Sequence, residues 1–158
     1  VVLLVGKRLE GFEMKLTEHF TLAELSHSDT AIARHIDNTP PSYIMPKLLT
    51  LALGLEQVRS LLGDKPIQIS SGYRSMLLNA AIGSKSTSQH LSGCAADFTC
   101  PDFGTPAEIV VAIVKSDIGY DQLISEDFMH SQWVHISFSS RNRRQALIID
   151  SSGTRAFA

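Results

Sequence analysis

The spacing of apolar positions changes period along the chain. From Pro46 to Leu62, Leu48, Leu49, Ala52, Leu55, Gln57, Val58, Leu61 and Leu62 recur mostly at three- and four-residue steps, which predicts an amphipathic helix with a first-turn proline and Gly63 as its stop. Two shorter helix starts carry capping boxes, in which a threonine and a glutamate three residues on satisfy each other's backbone donors. They are Thr21-Leu22-Ala23-Glu24 and Thr105-Pro106-Ala107-Glu108, the second running into apolar Ile109–Val114. Asp37–Pro41 reads as a turn-rich loop. Period-two alternation marks Pro66–Ser70 as a half-buried strand, followed by Ser71-Gly72-Tyr73-Arg74 and a short helix through Ala81. Gly83–Ser92 is polar and loop-like, and further strands are expected at Cys94–Cys100, Gln122–Glu126, Trp133–Phe138 and Gln145–Asp150. Helices come first and strands dominate the second half, so the expected class is α+β, with N-terminal helices packed on a mainly antiparallel sheet.

Composition narrows the function classes. The chain has 158 residues, 44% hydrophobic and 19% charged, which fits one ordered domain rather than a disordered or fibrous chain. Fourteen Lys+Arg against sixteen Asp+Glu give a net charge of -2, so nucleic acid is not an expected partner. The apolar run Val1–Val5 is too short for a signal peptide core or a membrane span. The expectation is therefore synthesis in the cytoplasm with no membrane insertion. Residues 1–13 precede the first methionine, Met14, and are expected to be an artificial or disordered extension, with 14–158 forming a single domain.

Candidate chemistry concentrates in Ser88-Gln89-His90-Leu91-Ser92-Gly93-Cys94-Ala95-Ala96-Asp97. A loop histidine, a glycine that lets the backbone turn and an aspartate in the following strand can converge on one ion. His135 lies in the strand Trp133-Val134-His135-Ile136-Ser137. Two imidazoles and a carboxylate suit zinc, and three protein ligands leave a fourth position for water, as in catalytic sites. Cys94 and Cys100 share one face of their strand, opposite Asp97, and are about 20 Å apart if extended, too far for a disulfide; both are expected to be free thiols. His19, His27 and His35 read as surface or capping residues, and Trp133 as packing support.

Ser88-x-His90-x-x-Gly93-x-Ala95-x-Asp97 resembles the motif of zinc D-Ala-D-Ala peptidases, and Ser71-Gly72-Tyr73-Arg74-Ser75 and Trp133-Val134-His135-Ile136-Ser137 are similar to its flanking motifs. The segment Phe20–Asn38 with Pro40 resembles the branch found in phage and prophage peptidoglycan peptidases. The resemblance spans about Phe20 to Ile149 and implies a Hedgehog/DD-peptidase-like fold. It also implies Zn2+ as cofactor, held by His90, Asp97 and His135, and a peptidoglycan stem peptide as substrate. It puts Arg74 near the substrate, where a guanidinium can hold a carboxylate or an oxyanion; the ordinary alternative is a surface ion pair. Ser88 and Gln89 are candidates for hydrogen bonds to substrate or to the ligands. Reaching the cell wall would then require phage lysis machinery or delivery with a virion.

Hydrolysis also needs a general base. Some members of the family place an acidic residue three positions before the second zinc histidine, but here that residue is Gln132, which cannot titrate. If Gln122–Glu126 and Trp133–Phe138 form a hairpin, Glu126 faces Trp133 and Asp127 faces Gln132. Alternation then puts Glu126 on the face of His135 and Asp127 on the other. Glu126 is thus the expected base, with His130 at the turn as runner-up. Two non-catalytic readings stand beside the peptidase: a Hedgehog-like zinc-binding interaction domain and a structural module of a phage particle.

Overall fold

The computed structural model describes residues 13–157; the expectation for residues 1–13 falls, apart from Glu13, outside the described residues. Helices α1 (Leu22–Ser26) and α2 (Asp29–Ala33) open the chain, followed by a 3-10 turn at Ser42–Ile44 and the long helix α3 (Met45–Leu61). Then come β1 (Gln68–Ser71), α4 (Met76–Ala81), a 3-10 turn at Gln89–Ser92, β2 (Ala95–Thr99) and α5 (Pro106–Val114). Strands β3 (Gln122–Phe128), β4 (Ser131–Ser137), β5 (Gln145–Asp150) and β6 (Gly153–Ala156) complete it. Both capping boxes form: Thr21 and Thr105 accept from the backbone of Glu24 and Glu108, whose carboxylates return to the cap backbones. These reciprocal bonds satisfy amide groups that a helix start otherwise leaves orphaned.

The six strands form one sheet in the order β1-β2-β4-β3-β5-β6. Every pairing is antiparallel except β3 with β5, which is parallel. The fold is α+β, as expected from helices that come first and strands that dominate the second half. Sheet parity separates structure from chemistry. Ala96 and Phe98 of β2, Leu123 of β3, and Val134 and Ile136 of β4 join one core with Leu48, Leu51, Ala52, Leu55 and Val58 of α3 and Ile109, Val110 and Ile113 of α5. The intervening residues, Asp97, Ile124, Glu126, Trp133 and His135, therefore project from the other face.

One detail of α3 departs from the expected stripe. Leu49 and Leu61 are exposed and Leu51 is buried. The buried seam is 48-51-52-55-58, and Leu49 and Leu61 flank it at 100° per residue. The chain's surplus of leucines made the stripe look wider than the side of the helix that meets the core.

Candidate metal centre

The site is built across the register of three strands. Ser71 pairs with Asp97, Asp97 with His135, and His135 with Ile124, so these residues form one row across the sheet. A bulge between Ile69 and Ser71 turns β1 away after Ser71. Bulges re-aim the chain beside functional sites, and this one leads to Arg74 and α4. His90 comes from the 3-10 turn. Ser88 caps that turn by accepting from the His90 amide at 3.4 Å, and Gly93 closes it in the left-handed region at φ 69°. A Cβ on Gly93 would also come within 2.7 Å of Ile44 Cγ2, so glycine is required both by its φ and by the space.

His90, Asp97 and His135 are all buried, at 3%, 8% and 8% exposure. One donor atom from each lies within 4.8 Å of the others. His135 Nδ1 is 2.8 Å from Asp97 Oδ1, His90 Nε2 is 3.2 Å from the same oxygen, and the two imidazole nitrogens are 3.3 Å apart. Donors at about 2.0–2.2 Å around a common tetrahedral centre would be roughly 3.3–3.5 Å apart, close to the two longer separations.

The proton inventory points the same way. Gly72 O can only accept, so His90 Nδ1, at 2.6 Å from it, carries the ring proton. Burial pushes the His90 pKa down, which keeps the ring neutral and leaves a lone pair on Nε2 directed at a carboxylate oxygen. A neutral nitrogen facing a carboxylate in a buried setting is an arrangement that a cation resolves. The residues present fit a zinc ion.

Two further side chains complete the electrostatics. Arg74 is an ion-pair partner of the site rather than a surface residue: Nη2 donates to Asp97 Oδ2 at 2.8 Å, Nε donates to Ser71 Oγ at 2.9 Å, and the backbone amide donates to His90 O at 3.2 Å. Burial would raise the Asp97 carboxyl, but the contact with His135 outweighs it and holds the group well below the usual carboxylate range. Glu126 moves the other way. Burial first, and the Asp97 charge second, raise its pKa, against the pull of His135 and Arg74. Glu126 thus senses the same cluster. The hairpin register is the one expected, with Glu126 opposite Trp133 and Asp127 opposite Gln132, and Gln132 Nε2 donates to Asp127 Oδ2 at 2.8 Å. His130 sits at the tip of the turn with φ 71°.

The Peptidase M15 family model matches residues 18–137, about three quarters of the chain. The chain belongs to the peptidase M15 family. It is similar to the zinc D-Ala-D-Ala carboxypeptidase of Streptomyces albus G, 29% identical over 84 residues, or 52% of this chain and 32% of that protein. The match thus covers about a third of the relative's length. The matched family segment contains all three donors together with Arg74 and Glu126, and its C-terminal limit coincides with the end of β4.

Other residues of this M15 domain take supporting positions. Cys94 and Cys100 are buried free thiols. His19 pairs with Glu56 and His27 with Asp29, both at 2.9 Å. Gln89 Nε2 donates to Asp121 Oδ2 at 2.8 Å. Asn38 braces the Arg74 segment on both sides: Nδ2 donates to Tyr73 O at 3.1 Å and Oδ1 accepts from the Ser75 amide at 2.7 Å. Sequence reasoning did not single out Asp121. Its signal was a lone acid between apolar Tyr120 and Leu123, fully buried here.

Proposed function

We propose that this domain is a zinc-dependent peptidase that hydrolyses peptide bonds in the D-amino-acid-containing stem or cross-link peptides of bacterial peptidoglycan. The observation that carries the proposal is the convergence of His90 Nε2, Asp97 Oδ1 and His135 Nδ1 in one buried cluster, with Glu126 on the same face of the sheet. Membership of the M15 family and similarity to a zinc D-Ala-D-Ala carboxypeptidase support it.

In this reading His90, Asp97 and His135 hold the ion. Bound zinc supplies Lewis acidity, lowering the pKa of water and polarising the scissile carbonyl. Gly72 O fixes the ligating tautomer of His90, a partner that orients the ring and raises its basicity. Arg74 holds Oδ2 of Asp97 and leaves Oδ1 to face the histidines. A guanidinium has five N–H donors, and two of them are engaged by Asp97 and Ser71; the rest can hold a substrate carboxylate or developing oxyanion. Glu126 accepts the proton of the attacking water and returns it to the leaving amine. In the metal-free protein burial raises its pKa; a carboxylate on this face is suited to shuttle that proton.

Mass spectrometry of muropeptides digested with and without a chelator tests the function. Release of stem-peptide fragments that stops on chelation is expected, and the fragment masses distinguish an endolysin-like internal cut from a D,D-carboxypeptidase-like terminal one. No release by the zinc-loaded protein would overturn the proposal.

A further inference from the structure

The most heavily engaged buried charge outside the cluster is Asp121, immediately before β3 and 0% exposed. Its Oδ1 accepts from Arg143 Nε at 2.7 Å and from the Arg143 amide at 3.2 Å. Its Oδ2 accepts from Arg143 Nη2 at 2.9 Å and from Gln89 Nε2 at 2.8 Å. The backbone is tied as well: the Asp121 amide donates to Ser137 O at 2.8 Å and its carbonyl accepts from the Gln145 amide at 3.0 Å. The carboxylate therefore sits where β3, the end of β4 and the start of β5 meet. Desolvating a carboxylate is costly unless every lone pair is used, and here nearly all are.

Arg143 and the strand ends suffice to explain a structural ion pair, but they do not explain Gln89. Gln89 is the first residue of the 3-10 turn and immediately precedes His90. A carboxylate offers only acceptors, so the amide must present Nε2 to Asp121. That choice leaves Gln89 Oε1 buried with no partner among the described residues, a loss of hydrogen bonding that few native groups accept. The main chain of Gln89 is meanwhile bound into the turn, its carbonyl accepting from the Cys94 amide at 3.1 Å and Ser92 Oγ at 2.9 Å. The side chain thus ties the turn, already bonded to the Gly72–Arg74 segment through His90, to the end of the sheet that carries His135.

We propose that Asp121, acting through Gln89, is a positioning residue for the metal ligand His90, with Arg143 holding the carboxylate in place. This rests on the reading of His90, Asp97 and His135 as the zinc ligands. Each of the three donors has its own support: Asp97 and His135 are paired within the sheet, whereas His90 arrives on a turn outside it. The Gln89–Asp121 bond ties that turn to the same strands. Outer partners of metal ligands typically govern affinity 10- to 100-fold, and a link one residue removed should lie near the lower figure.

The test is zinc affinity measured by competition with a chromophoric chelator, together with the visible spectrum of the Co2+-substituted protein. Gln89→Met keeps the bulk of the side chain and removes the donor. It should weaken zinc binding about tenfold and alter the Co2+ ligand-field bands, with some fall in the melting temperature of the metal-free protein because the buried Asp121 carboxylate loses a donor. Asp121→Asn should weaken zinc binding in the wild-type background and add little in the Gln89→Met background, although it destabilises both through Arg143. A purely structural Asp121 would show equal effects on affinity in the two backgrounds, and that result overturns the proposal. Wild-type affinity and spectrum in Gln89→Met also overturn it, and decide the matter alone if Asp121→Asn does not fold. If His135→Ala leaves zinc binding of the otherwise wild-type protein unchanged, the ligand assignment itself fails and the proposal falls with it.

Discussion

Gly72→Ala tests how tightly the N-terminal segment is built into the metal centre. A Cβ at this position would lie 2.8 Å from the carbonyl carbon and 2.9 Å from the Cα of Leu25, and closer still to the Leu25 oxygen. These are backbone atoms, which cannot rotate aside as a side-chain tip would. The same oxygen accepts the Tyr73 amide at 2.7 Å, so moving Leu25 away breaks that bond. Moving Gly72 instead displaces the carbonyl that orients His90, at 2.6 Å from its Nδ1. Overpacking costs about 1–3 kcal/mol and a lost hydrogen bond about 1 kcal/mol, giving roughly 2–4 kcal/mol of destabilisation. For a domain of this size that lowers the melting temperature by roughly 5–15 °C. Urea denaturation of the metal-free protein measures the loss as a lower midpoint at constant slope, and chelator competition should show zinc affinity down about 10- to 100-fold. A variant within about 0.5 kcal/mol of wild type and with unchanged zinc affinity would refute the coupling.

Glu126→Gln should retain zinc and lose hydrolysis; muropeptide release near the wild-type rate would remove Glu126 as the base. The same variant should be more stable than wild type when metal-free at neutral pH. A carboxyl whose pKa is raised on folding opposes folding above its unfolded pKa, and a neutral amide removes that opposition, so denaturation midpoints at pH 7 should rise. In the zinc-loaded wild type, kcat/KM should fall on the acid side as Glu126 is protonated; Glu126→Asp should move that limb, and an unmoved limb would assign it to another group. Leu55→Ala, in the wholly buried seam of α3, should cost about 2–5 kcal/mol by denaturation while leaving the zinc stoichiometry of the folded protein at one.

The parts of the molecule legible in the sequence are those set by local chemistry or strict periodicity. Thr21 and Thr105 announce their helices because a capping box needs only four residues. The β3–β4 register could be anticipated because a short connection leaves few ways to align Glu126 with Trp133, and the alternation of β2 separates Asp97 from the two cysteines. The illegible parts depend on residues distant in sequence. Arg74 pairs with Asp97 across 23 positions, and Gln89 meets Asp121 across 32; local motifs mark Arg74, Asp97 and Gln89 one by one but do not say which residue each meets, and Asp121 lies in no motif at all. The parallel pairing of β5 with β3 is equally hidden, since a strand's own pattern does not state the direction of its neighbour. Strand β6, Gly153–Ala156, is exposed throughout and so lacks the apolar alternation by which the other strands are recognised. Helix α2 is five residues long, too short for a helical period to emerge.

An anomalous difference map from crystals grown with zinc, recorded at the zinc absorption edge, is the most direct measurement of the central claim. A single strong peak within bonding distance of His90 Nε2, Asp97 Oδ1 and His135 Nδ1 is the predicted result, and no peak there, or a peak bound to other side chains only, would contradict it.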